Sequence, residues 1–176
     1  MFKERTKSPQ FWLLILSVVL YILSMFFTPL YVDNPKADIY SNSFYMLLSG
    51  WMAVLGGGLI LTFVWLANPL YYYAVFFIIN KGKLGIIPAS LCLILGIYFM
   101  TLDVVMYGES GATTDITKLG AGFYLWISSF TAIFFAGISM FINKKLQSQF
   151  PRYGKISATA YSRILQNLRT EKVFIK

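Results

Sequence analysis

Residues 51–80 read WMAVLGGGLILTFVWLANPLYYYAVFFIIN, an unbroken run without Asp, Glu, Lys or Arg. As one straight α-helix the run would extend about 45 Å at ~1.5 Å per residue, against a hydrocarbon core of ~30 Å. It is too apolar for the surface of a soluble protein and too long for one upright span. It must tilt steeply, break or lie partly in the membrane interface. Two places invite a break. Gly56-Gly57-Gly58 is one. Asn68-Pro69 is the other, because proline has no N–H to bond the carbonyl of Trp65 four residues back. The favoured reading is an interfacial or re-entrant segment over about 44–57, followed by a spanning helix over about 58–80. Two half-membrane helices meeting at Asn68-Pro69 are the alternative.

Three further apolar stretches flank this one. Residues 11–30 follow a basic start (Lys3, Arg5, Lys7). That stretch exceeds the roughly 7–15 apolar residues of a cleavable signal and no small-x-small site follows, so it reads as an uncleaved first span. Residues 84–106 open with Pro88 in the first turns, where a missing N–H costs little. Residues 121–142 stop at Asn143-Lys144-Lys145. The expectation is an all-α polytopic membrane protein. A four-transmembrane-helix bundle over 1–146, with a broken or kinked second span, precedes a basic cytoplasmic tail over 147–176.

Composition agrees. Of the 176 residues, 57% are apolar and 12% charged, with a mean hydropathy of +0.65. A soluble domain carries about 25% charged residues. A soluble enzyme, a disordered tail and a nucleic-acid-binding domain are excluded, and the net charge of +8 informs through its placement. The N-terminus, the turn at 81–83 and the tail from Lys144 hold 13 of the 15 basic residues. The intervening connections, 32–43 and 107–119, hold one lysine each (Lys36, Lys118) and four carboxylates. Lys and Arg collect in cytoplasmic loops. Both termini are therefore expected in the cytoplasm, with the chain in a bacterial cytoplasmic (inner) membrane.

The chain has no histidine and one cysteine, Cys92. Imidazole metal sites, His-based catalysis and an intrachain disulfide are thus excluded. No acid–base or nucleophile–base pair lies in a span, so neither an enzyme, a metal nor a cofactor is expected. Asp103 is the only ionisable residue within an apolar stretch, and such carboxylates default to functional hypotheses. Nineteen residues from Leu84, roughly 28 Å along a helix at ~1.5 Å per residue, it falls at the outer boundary. There it either pairs with Lys36 or Lys118 or binds a cation, proton or partner. Trp65, Asn68 and Pro69 form the second candidate: a kink satisfied internally, with Asn68 bonding the freed carbonyl, or a binding point for a polar ligand.

Ser128, Ala132 and Ala136 recur every four positions, as do Cys92 and Gly96. This small-xxx-small pattern lets helices approach closely, within the bundle or across a homo-oligomer seam. Tyr71, Tyr72 and Tyr73 lie too deep for an interfacial belt, so some of their hydroxyls need partners. In the tail, Tyr161, Ile164, Leu165 and Leu168 form one stripe of a helix over about 157–170. Flanked by positive charge, the stripe suits anionic lipid or a docking partner.

The blocks Trp65-Leu66-Ala67-Asn68-Pro69 and Gly122-Phe123-Tyr124-Leu125-Trp126 resemble short motifs of uncharacterised small bacterial inner-membrane proteins with four spans. The resemblance covers spans two to four and implies no activity. In size, span number and basic cytoplasmic face the chain is also similar to immunity proteins against pore-forming bacteriocins. The function expected is interaction: an accessory or assembly subunit of a larger membrane complex, contacting the lipid bilayer and a membrane-protein partner or a second copy. The competing expectations are a small oligomeric channel or carrier using Asp103 and the Asn68-Pro69 break, and an immunity protein against a membrane-inserted toxin. No nucleic-acid partner is expected.

Overall fold

The first described helix is α1 (Pro9–Ser24). The computed structural model describes residues 9–37, 42–80, 83–107 and 111–149. The chain divides into two units, Met1–Met140 and Phe141–Lys176. The first contains the core and the site. The described part of the second is the helical stretch up to Gln149, and the tail stripe at Tyr161, Ile164, Leu165 and Leu168 lies outside the described residues.

After α1 come strand β1 (Leu30–Val32), helix α2 (Ser43–Ser49) and a 3-10 segment, Gly50–Gly56. Helices α3 (Leu59–Trp65) and α4 (Ala67–Ile79) follow, then a 3-10 turn, Lys83–Gly85, and helix α5 (Ile86–Phe99). Strands β2 (Val104–Met106) and β3 (Thr113–Leu119) lead into α6 (Ala121–Gln149). The described residues are mostly helical, and two helices, Leu59–Ile79 and Ala121–Ile142, are long and apolar enough to cross a membrane. α1 and α5 are shorter, at 16 and 14 residues.

The charge-free run breaks where its glycines sit. Asn42 caps α2 by accepting the Tyr45 N–H at 3.1 Å. Gly57, at φ 87°, closes the 3-10 segment in the left-handed region that a side chain would strain. α3 and α4 form a nearly continuous 21-residue helix interrupted at Leu66. The interruption precedes Pro69 by three residues, in the turn whose bonding the proline disturbs.

The expectation of an all-α fold needs correction. Beyond the helices there is a three-stranded antiparallel sheet, ordered β1-β3-β2. Leu30 faces Leu119 and Tyr31 faces Lys118, then a bulge carries the register to Val32 opposite Ile116. On the other edge Val104, Val105 and Met106 face Asp115, Thr114 and Thr113. The expected helices over 11–30 and 84–106 accordingly end at Ser24 and Phe99, and their last residues are strand. The first leaves the helix through tighter turns, in which the N–H groups of Met25, Phe26 and Phe27 bond the carbonyls of Ile22, Leu23 and Ser24 three residues back, well before Pro29. The carbonyls of Thr28 and Pro29 instead accept the N–H groups of Gly122 and Gly120, at 2.9 and 2.8 Å. β-Branched Val104 and Val105 continue the third apolar run, but they pair with a Thr-rich strand and leave the helix.

Side-chain contacts give the helix directions. Ser17 lies against Ser129, Gln10 against Ser139, and Tyr21 against Asn68. Gly96 lies against Phe130, and Gly137 against Ile86. α1, α3–α4, α5 and the described α6 therefore alternate in direction, with the 83–85 turn at one end and the sheet at the other.

Large aliphatic side chains point outward: Leu16, Val19 and Ile22 on α1, Ile87, Leu91, Ile94 and Ile97 on α5. The buried positions hold Ser17, Tyr21 and Ser24, then Ala67, Asn68, Tyr71, Ala74 and Ile78, then Pro88, Ala89, Cys92, Gly96 and Phe99. Small and polar residues form much of the interior.

Candidate functional site

Asn68 is the hub of the interior. Its Oδ1 accepts from the Tyr21 hydroxyl and from the Trp126 indole N–H, both at 2.9 Å. Its Nδ2 donates to the carbonyl of Trp65 at 3.1 Å, which replaces the bond that Pro69 cannot make. One amide thus ties α1, α4 and α6 together and repairs the backbone. Around it, the Tyr21 hydroxyl pairs with that of Tyr72 at 3.1 Å, and Ser17 Oγ pairs with the Tyr71 hydroxyl at 3.0 Å while donating to the carbonyl of Ser129 at 2.8 Å. The Tyr21 and Tyr71 rings stack at 4.4 Å. Tyr71 and Tyr72 have the partners their depth demands, and no buried side-chain donor or acceptor among the described residues lacks one.

Above this network, toward the sheet, lies a cleft of about 390 Å³. Asn68, Trp65 and Trp126 form its floor. The end of α1, the α2 and 3-10 segments, α3, the end of α5, β2 and the start of α6 supply its walls. Four of the seven methionines line it: Met25, Met46, Met52 and Met106. Among the described residues no Asp, Glu, Lys or Arg does. Trp65 is fixed from outside, donating its indole N–H to the carbonyl of Leu47 at 2.7 Å. That bond also holds α2 against the bundle. Gly50 leaves room for the Trp65 ring, which a Cβ at that position would meet at 2.5 Å.

The structure brings Trp65, Asn68 and Pro69 to one place but does not bring Asp103 to them. Asp103 is exposed just before β2, where its carbonyl accepts the Ile116 N–H at 2.7 Å. Among the described residues its carboxylate forms no ion pair with Lys36 or Lys118. The small residues divide between surface and core. Ser128 is exposed, while Ala132, Ala136, Cys92 and Gly96 are buried inside the chain. A Cβ on Gly96 would lie 3.3 Å from the Phe130 ring, so this seam joins α5 to α6. Among the described residues no group of three or more His, Cys, Asp or Glu could hold a metal ion.

Tyr21, Ser17 and the methionine lining are site residues that the sequence did not single out. The signal for the first two was a hydroxyl at i and i+4 in an otherwise aliphatic helix, which requires polar partners inside. The methionines carried no periodic signal, because they come from four separate segments. No family model, no curated protein and no solved structure matches the chain.

Proposed function

We propose that this chain is a non-enzymatic four-span protein of a bacterial cytoplasmic membrane, with both termini in the cytoplasm, serving as an accessory or assembly subunit of a larger membrane complex. The observation that supports the membrane assignment is the helix surface: large aliphatic side chains cover the outside, while Ser, Tyr, Asn, Ala and Gly share the interior with residues such as Phe130 and Ile133. In water such a surface would be a large exposed apolar patch. In lipid it is the expected outer face, and small or polar residues are the expected glue between helices. α1 and α5 are short, but β1 and β2 extend them, and their pairing with β3 satisfies the backbone that leaves the helix.

The partner surface is the segment 43–56. None of its residues is buried, and Phe44, Leu48, Trp51 and Leu55 are exposed. A helical segment that packs Met46 against the core and is held by the Trp65–Leu47 bond, yet leaves Phe44, Leu48, Trp51 and Leu55 exposed, is built to present that face.

The test is purification of the tagged chain in mild detergent from its native host, with mass identification of bound chains. A stoichiometric membrane protein should accompany the parent and be lost from a Leu48→Gln/Leu55→Gln variant that unfolds at the parent's temperature. A lone monomer from both would overturn the accessory-subunit reading.

A further inference from the structure

The cleft between the helices and the sheet has no role in the interaction just proposed. Among the described residues its lining is uncharged, and most of its polar side chains are engaged. Asn68 Oδ1 already accepts two bonds, Trp65 and Trp126 donate theirs within the protein, and the Tyr107 hydroxyl accepts from Asn34 Nδ2 at 2.6 Å. Among the described lining residues a charged ligand would find no counter-charge. The volume falls within the ~300–1,000 Å³ of small-ligand sites. Methionine side chains re-pack around irregular apolar shapes, and four of them surround this space.

The cleft reaches the surface beside the segment 43–56, where Tyr45 and Met52 both line it and remain exposed. The outward side of that segment is apolar as well, so the path from lipid to cleft crosses no polar barrier. We propose that the cleft takes one acyl chain of a membrane phospholipid, entering sideways from the bilayer beside Met52 and ending over the Trp65–Asn68–Trp126 floor. This rests on the membrane assignment above. The bound chain would brace the segment 43–56 from behind, making its outward face dependent on lipid.

Two of the four tryptophans, Trp65 and Trp126, line the cleft, which supplies an optical probe. In a Trp12→Phe/Trp51→Phe background, the protein in a maltoside detergent is titrated with phosphatidylethanolamine brominated at mid-chain. This lipid is zwitterionic, so the basic tail gains nothing from its headgroup. Quenching should saturate at one lipid per chain and be reversed by the unbrominated lipid. Val64→Phe and Ala53→Phe, which add bulk to the wall, should each weaken it by about tenfold or more. Leu91→Phe, on the outer face of α5, should leave it unchanged. Thermal unfolding identifies any variant that fails to fold, and the remaining wall variant then decides.

Quenching that rises without saturating, or that both folded wall variants leave intact, would overturn the proposal. So would saturation by a brominated free fatty acid but not by the phospholipid. Retention in alkaline-washed membranes is measured in parallel. A chain retained there but not quenched defeats the lipid site alone, whereas release without detergent defeats the membrane assignment beneath it.

Discussion

Asn68 does work that three residues usually share, and its removal can be dissected. Asn68→Ala deprives the Trp126 indole and the Trp65 carbonyl of the bonds described here, while the Tyr21 hydroxyl keeps Tyr72. An unmet buried polar group costs about 1–3 kcal/mol. In membranes, where the unfolded state also finds partners, the lower part of that range applies. Pro69→Ala alone should change stability by less than ~1 kcal/mol, because the N–H it adds faces a carbonyl that Asn68 already serves. In the double variant the new N–H takes over the Trp65 carbonyl, so the double cost should fall short of the sum by about 0.5–1.5 kcal/mol. Thermal unfolding of the four proteins in one detergent measures this. Strict additivity would mean that the Asn68 amide does not compensate for the proline. The compensating bond was legible in the sequence, since Asn68 precedes the proline on the turn above the orphaned carbonyl. Its second role, as acceptor for α1 and α6, was not. Nothing in a linear chain aligns Tyr21, Asn68 and Trp126.

At the scale of elements, the crossing of residues 27–29 over the start of α6 fixes the sheet to the helices. A Cβ on Gly120 would run into the Thr28 carbonyl, and one on Gly122 into the Phe27 carbonyl. Both obstacles are backbone and cannot swing aside. Gly137, on the same helix, would place its Cβ in ordinary contact, 3.4 Å from the Ile86 Cα. Gly122→Ala should therefore lower stability by roughly 1–3 kcal/mol through overpacking. Gly137→Ala should be neutral, or stabilising by up to ~1 kcal/mol from helix propensity. Equal unfolding temperatures for the two would show that the crossing is looser than drawn. The four apolar runs were readable as runs, because burial in lipid or core demands the same residues. Where each run stopped being helix was not. Leu30 and Val104–Met106 are as apolar as the helical residues before them, and hydropathy does not separate a strand from a helix. The clue lay in TTDITKL at 113–119. Its β-branched residues read as a polar outer connection until two other segments are known to pair with it.

At the scale of the whole molecule, the helix directions are compatible with the topology proposed from charge placement. The hydrogen bonds make the four helical segments alternate, with the turn near Lys83 at one end and the sheet, carrying Asp115 and Lys118, at the other. On the topology proposed above, the charge count would put the turn and both termini in the cytoplasm and the connections 32–43 and 107–119 outside. The shortness of α5 gives a competing topology, in which α5 does not cross and 107–119 stay cytoplasmic, parting β3 from the β1 it pairs with. At ~1.5 Å per residue its 14 residues span about 21 Å, against ~30 Å of hydrocarbon. Strand residues rise ~3.3 Å each, so three more in β2 add about 10 Å, and that closes the gap. Reporter fusions decide between the two. Fusions after Lys83 and Lys155 should report cytoplasm, and those after Pro35 and Gly111 should report the outside. A cytoplasmic signal after Gly111 would remove α5 from the spans and, with it, the reason for an outer sheet. Insertion of α5 should also depend on β2. Val105→Asp places a charge at a fully buried sheet position, and should cost roughly 2.5–3.5 kcal/mol if that residue enters at helix-centre depth but far less at the boundary. An outside signal after Gly111 that survives Val105→Asp would place the sheet at the outer headgroup boundary, where a strand can end a span.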